Sequence, residues 1–287
     1  MSRTMFRFAD RAVSVTGDDD FLAAAAGLLA PYVRRTATAD GATLVASLEF
    51  ENTTRSEHGE AVIIKAFQQV RSALLDVVLC DHAPLHGAVV TCDGTGIVLT
   101  GPKGAGKTSF VSALLRCSPE WDFVTNDKSV VSPHDGSVLG LPFAVAVGHV
   151  GRAMTPELAD LPARPSVGKD LFWPADFARA FGSRPAAATP LHGVVLCEAD
   201  FAASRIEVLT DVDQDERRIV LERDMTDFGD AMIPQRRRTG RTRDAELPPL
   251  PAEWSVMPWV RLRGNPWTMS RDTMSAVRTA VDFQRVV

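Results

Sequence analysis

The stretch IVLTGPKGAGKTSF, residues 97–110, constrains this chain more than any other. Apolar and β-branched residues run into a Gly-rich turn, which ends in Lys107-Thr108 and opens onto an apolar-periodic segment. Gly101, Gly106, Lys107 and Thr108 fit the pattern G-x-x-x-x-G-K-[ST]. Glycines at 101, 104 and 106 let the backbone curl so that successive N–H groups point inward at phosphate oxygens. A helix expected over roughly 107–116 adds its positive N-terminal end. A chance match is the competing reading, and the strand before and helix after, which the motif requires, weigh against it. The expected nucleotide-binding segment is Gly101, Pro102, Lys103, Gly104, Ala105, Gly106, Lys107, Thr108 and Ser109. In it Lys107 reaches the β- and γ-phosphates and the Thr108 hydroxyl ligates Mg²⁺.

Binding a phosphate is not yet chemistry. A Mg·ATP site needs a carboxylate at the end of a neighbouring strand, to hold the metal or to take a proton from an acceptor. WDFVTND supplies one, because Asp127 closes an apolar run that follows the loop by one helix and one return strand. A lone Asp at a strand end is otherwise a turn residue; the loop favours the functional reading, with Asp127 as base, as Mg²⁺ ligand or as both.

Composition bounds what else the chain does. At 287 residues, with 45% hydrophobic and 23% charged side chains, it has the make-up of an ordinary globular protein. A formal net charge of −5 argues against nucleic-acid binding through a basic surface. No membrane partner is expected: FLAAAAGLLAPYV is too short to span and is broken by proline. Asp18, Asp19 and Asp20 before it and Arg34 and Arg35 after it suit a helix dipole and not a signal peptide. Cys80, Cys92, Cys117 and Cys197 form no C-x-x-C pair and read as buried free thiols, so a reducing cytoplasm is expected.

Periodicity divides the chain into a small α+β unit over 1–80 and a kinase-like α/β domain over 81–287. In the first, FRFADRAVSVTG reads as two strands, 19–35 as an amphipathic helix and ATLVASLEFE as an alternating strand. EAVIIKAFQQVRSALLDVVL begins as a strand and continues as a helix. In the second, LHGAVVTCDGTGIVLTG reads as two strands joined at Asp93-Gly94. Short strands follow in KSVVSPHDGSVLGLPFAVAVG, then HGVVLCEADF and RIEVL, and a last helix over about 270–285. MIPQRRRTGRTRDAELPPLPAEW reads as loop.

LHGAVVTCDGTGIVLTGPKGAGKTSF…DFVTND resembles the HPr kinase/phosphorylase family, which shares its core with the ATP-dependent phosphoenolpyruvate carboxykinases. In that family a His-Gly begins the hairpin leading into the loop and an Asp-Asp pair ends the next strand. The spacing from His86 to Gly101 matches without a gap. The resemblance covers about residues 80–150 and continues loosely through GLPFAVAVG, LHGVVLCEAD and MPWVRL. It implies a P-loop core with a mixed sheet, ATP and Mg²⁺ as cofactors, and His86 beside the transferred phosphoryl group. Two positions depart from the pattern. The first acid of the pair is Asn126, a neutral amide that positions a water or metal but accepts no proton at pH 7. The acidic, Gly-rich downstream segment has no counterpart in GLPFAVAVGHVG.

The function so implied is an ATP-dependent phosphotransferase acting on a hydroxyl of a peptide serine or a small metabolite. Related proteins of bacterial gene clusters extend this to a natural-product tailoring kinase. The alternatives are an ATP-binding switch or ATPase without an acceptor, supported by Asn126, and a bona fide HPr kinase/phosphorylase. The N-terminal unit is expected to shape the acceptor site or a homo-oligomer contact. Arg241 and Arg243, in a basic cluster with Arg236 to Arg238, read as solvated loop or as a lid over the phosphoryl group. Arg152 and Lys169 are weaker candidates for the same work. His86, by itself, also reads as a structural histidine. The tryptophans at 121, 173, 254, 259 and 267 read as core or acceptor-pocket lining rather than an adenine clamp.

Overall fold

The computed structural model describes residues 2–39, 41–50, 64, 67–75, 78, 81–225, 254 and 256–286. The described residues fall into two compact units, those up to His82 in one and those from Ala83 onward in the other.

The N-terminal unit is a four-stranded sheet with a helix. β1 (Ser2–Phe8) and β2 (Arg11–Gly17) form an antiparallel hairpin, β3 (Arg34–Thr36) pairs with β1, and β4 (Thr43–Glu49) runs parallel to β2. Between them α1 (Asp19–Leu29) starts at Asp18, whose carboxylate accepts the Asp20 N–H at 3.0 Å. The helix expected to reach residue 35 stops at Leu29. Ala30 precedes Pro31, whose ring excludes the α conformation from its neighbour, and Ala30 lies at ψ 147°. Phe6, Val13, Phe21, Leu22 and Leu29 make the core of this unit. The described residues of 60–79 are helical; the strand expected before them lies outside the described residues.

The second unit is built on a six-stranded mixed sheet. β5 (Ala83–Leu85) precedes the hairpin β6 (Ala88–Cys92) and β7 (Thr95–Thr100). Asp93 and Gly94 connect the hairpin with φ 51° and 76°, the positive pair that matches strand twist. There follow α2 (Lys107–Cys117), β8 (Trp121–Thr125), β9 (Ser129–Val131), β10 (Val138–Gly140) and β11 (Val145–Gly148). Next come the short α3 (His149–Ala153), β12 (Arg164–Ser166), β13 (Lys169–Phe172) and α4 (Pro174–Ala180). β14 (Ala188–Thr189), β15 (Leu191–Ala199), β16 (Ile206–Leu209), a helix α5 over 214–225, β17 (Trp259–Gly264) and α6 (Arg271–Val286) complete the chain.

The large sheet has the order β16-β17-β15-β7-β6-β8. β7, β15 and β17 are parallel, whereas β6, β8 and β16 are antiparallel to their neighbours. Both faces are covered, so successive strand residues enter opposite cores and the strands read as unbroken apolar runs. Val90, Ile97, Val195 and Val260 pack with Phe110, Leu114, Val277 and Val281 of α2 and α6. Val89, Val98, Val194 and Trp259 pack on the other face with Val131, Val138 and Val220. Those last side chains come from the four-stranded sheet β14-β10-β9-β5 and from α5. A third, three-stranded sheet, β11-β13-β12, is antiparallel throughout.

Among the described residues no helix is long and apolar enough to cross a membrane. Cys92, Cys117 and Cys197 are free, and burial pushes all three thiols up, away from reactivity. Cys80 and the segment of Arg241 and Arg243 lie outside the described residues.

Candidate functional site

The Gly-rich loop leaves the C-terminal end of β7, in the middle of the sheet, and turns directly into α2. Two of its backbone positions admit only glycine. At Gly101, φ is 146° and a Cβ would stand 2.8 Å from both Ala105 Cβ and the Cys197 carbonyl oxygen. At Gly106, φ is 84° and a Cβ would stand 2.4 Å from Ala199 Cβ. The loop is further pinned to β15 by the Ala199 N–H, which donates to Ala105 O at 3.1 Å. Gly106 is the N-cap of α2, so the open N–H end of an 11-residue helix faces the loop.

Lys107 folds back over this turn. Its ammonium donates to the carbonyls of Gly101 at 2.7 Å and Pro102 at 3.5 Å. Burial lowers its pKa, against which the charges of Asp224 and Asp127 act. The lysine therefore sits in a partly dehydrated surrounding, with two carboxylates near enough to act on its charge.

Asp127 and His86 meet across the same space. β6 and β8 are antiparallel, with Val89 opposite Thr125, so the start of one strand lies beside the end of the other. His86 Nε2 and Asp127 Oδ1 are 2.8 Å apart. Burial raises the Asp127 pKa, but the hydrogen bond with His86 and the charges of His86, Lys128 and Lys107 outweigh it, and the carboxyl is held below its usual range.

These groups line one cavity of about 600 Å³, within the range of small-molecule sites. It is lined by Lys103 to Ser109, by His86 and Asp127, and by residues 146–148 of β11 with Val150 and Lys169. Phe201 and Trp267 also line it. Gly101 and Pro102, expected at the phosphate, are absent from this lining; their carbonyls engage Lys107 instead.

Asn126 is buried and also absent from the lining, and its Oδ1 has no hydrogen-bond partner among the described residues. A carboxylate there would be an uncompensated charge, which an amide avoids. Arg152, expected at substrate or lid, is engaged elsewhere. Its guanidinium donates to Asp170 at 3.1 Å and to the carbonyls of Leu158, Ala159 and Leu161, and it lies over the Phe172 ring. It braces the small sheet and does not line the cavity. Of the tryptophans, 121, 254 and 259 are core, while Trp267 faces the cavity and carries Arg116 over its ring.

Sequence reasoning missed Asp224. This carboxylate, fully buried on α5, accepts a hydrogen bond from the Thr100 hydroxyl and is paired with Arg223 at 2.9 Å. Burial raises its pKa, opposed by Thr100, Arg223 and Lys107. A signal for its helix exists: the Asp213 carboxylate accepts the Glu216 N–H at 2.8 Å, and D-x-x-E is a helix-start pattern.

No protein-family model and no curated protein matches the chain. A solved structure, the Hpr(Ser) kinase/phosphatase from Coxiella burnetii, aligns at 15% identity with a TM-score of 0.26. The alignment covers 42% of this chain and 66% of that one, just under two thirds of its length.

Proposed function

We propose that this chain is an ATP-dependent phosphotransferase that moves the γ-phosphoryl group to the hydroxyl of an acceptor. The observation that carries this reading is the Asp127–His86 pair on the same cavity as the Gly-rich loop. A bound Mg·ATP supplies the transferable phosphoryl group. Thr108 and Asp127 offer oxygen donors to Mg²⁺, which is commonly held by one or two protein oxygens plus phosphates. Among the described residues no group of three His, Cys, Asp or Glu is placed to hold a metal ion by itself.

Each residue then has a task. The loop amides and the α2 N-terminus would hold the phosphate oxygens. Lys107 neutralises charge on the phosphoryl group in flight. His86 orients Asp127 through the 2.8 Å bond, and the ionised carboxylate aligns the acceptor hydroxyl and takes its proton. The neutral Asn126 favours one second reading, an ATPase or switch with no acceptor. Acceptor-dependent ADP release from ATP, measured against a panel of serine peptides and polyols, decides between them. Release that is independent of every acceptor, with water taking the phosphate, overturns the phosphotransferase reading.

A further inference from the structure

β15 and β17 run parallel to β7 and follow it in the sheet, so their C-terminal ends lie on the same side as the Gly-rich loop. Ligands of open α/β sheets gather at such strand ends. The turn after β15 carries Phe201, and the short turn Pro266–Thr268 after β17 carries Trp267. Both residues line the cavity that Lys103 to Ser109 also line.

Asn265 ties the two turns together. Its Nδ2 donates to the Phe201 carbonyl at 3.1 Å, and its Oδ1 accepts the Trp267 N–H at 3.1 Å. The Asp200 N–H closes the same junction by donating to Gly264 O at 2.9 Å. From α2, the Arg116 guanidinium lies over the Trp267 ring, 5.6 Å from its centroid, and donates to the Trp267 carbonyl at 3.4 Å. Both aromatic residues are thus fixed before any ligand arrives, yet Phe201 is left 52% exposed. A lone exposed phenylalanine is ordinary; one fixed with a tryptophan on the cavity of a Gly-rich loop is a preorganised apolar contact. Ser112 adds a polar one. It lines the cavity at 2% exposure, and its hydroxyl makes no hydrogen bond to another described residue, which leaves that bond for a ligand. Along α2 it falls between Thr108 and Arg116, four residues or about 6 Å from each. A step of that size separates the phosphates of a nucleotide from its sugar.

We propose that Phe201 and Trp267 seat the base of a nucleoside triphosphate whose phosphates lie at the Gly-rich loop, with Ser112 hydrogen-bonded to its sugar. Contact between the base and the two rings supplies affinity, because any base offers a π face to an aromatic side chain. Asn265 is the positioning residue that holds both rings to one ligand. This deepens the phosphotransferase reading and rests on it for the role of the triphosphate.

The test uses the full chain with Mg²⁺ and two probes, a non-hydrolysable ATP analogue and inorganic tripolyphosphate, each titrated by calorimetry. The analogue is expected to bind at least about tenfold more tightly. Phe201→Ala should weaken the analogue about tenfold and leave tripolyphosphate unchanged, and Phe201→Tyr should restore the difference. Ser112→Ala should weaken the analogue alone, by about fivefold. The analogue should also quench tryptophan emission where tripolyphosphate does not, and Trp267→Phe should abolish the quench. Tripolyphosphate affinity reports in every variant that the loop is folded. Equal affinity of the two probes, binding of neither, or parallel loss of both in Phe201→Ala overturns the proposal. Acceptor-dependent ADP release from ATP, measured separately, keeps the two readings apart. Such release with no preference for the analogue over tripolyphosphate removes the base seat and leaves the phosphotransferase. Base-dependent binding without acceptor-dependent release does the reverse.

Discussion

His86 and Asp127 stand 2.8 Å apart because one just precedes β6, the other just follows β8, and those two strands run antiparallel. Any residue pair at these two strand ends is brought together by the sheet itself, before side-chain packing has a say. Asp127→Asn should therefore keep the geometry and remove the proposed base. We expect kcat to fall about 10²- to 10³-fold with nucleotide affinity nearly unchanged, in steady-state and labelled-nucleotide assays.

His86→Ala acts through the carboxylate. The His86 hydrogen bond and charge help hold the Asp127 pKa down, so its loss lets that pKa rise. The acidic limb of the pH–rate profile should move to higher pH, with about a tenfold lower plateau. A limb that stays in place would show that another group controls it.

Lys107→Met removes an ammonium held against the loop carbonyls at 2.7 and 3.5 Å. A charge-assisted hydrogen bond contributes about 1.5–3 kcal/mol. Nucleotide affinity should weaken about 10- to 100-fold in a fluorescent-nucleotide titration.

Gly106→Ala places a methyl group 2.4 Å from Ala199 Cβ at a φ of 84°. The cost should be about 1–3 kcal/mol, read as a lower denaturant midpoint. Ala199→Gly in the same chain should restore only part of it, since relieving the collision leaves the backbone strain.

Asp224 gives a pH signature of opposite sign to Asp127. Its folded pKa is raised, so its contribution to stability is fully present below the unfolded value, about 3.9, and is lost as pH rises through the folded one. Asp224→Asn, which keeps a partner for Thr100, should gain on the wild type in chemical denaturation as pH rises above about 4. For Asp127, whose pKa is lowered, the stabilising contribution is lost on acidification, and it is small because the side chain is 45% exposed.

The Gly-rich turn and the position of Asp127 could be read from the sequence because local rules determine them: glycine placement, strand before, helix after, carboxylate just past the next strand end. The hairpin at Asp93-Gly94 was legible for the same reason. What stayed hidden depends on tertiary company. Nothing near Arg152 in the sequence reveals three carbonyls and Asp170 waiting for its guanidinium. Asp224 meets Thr100 only because α5 packs on the face of β7 that also carries Val98. The overrun of α1 past Leu29 is different in kind, since Pro31 was in view and its effect on Ala30 is local.

The turn at Asp93-Gly94 closes the end of β6 and β7 opposite to the one that bears His86 and the loop. Six strand residues, about 20 Å, separate it from the cavity. A fluorophore or short epitope grafted at that turn would thus report on the chain from a distance, leaving the cavity at the far rim undisturbed.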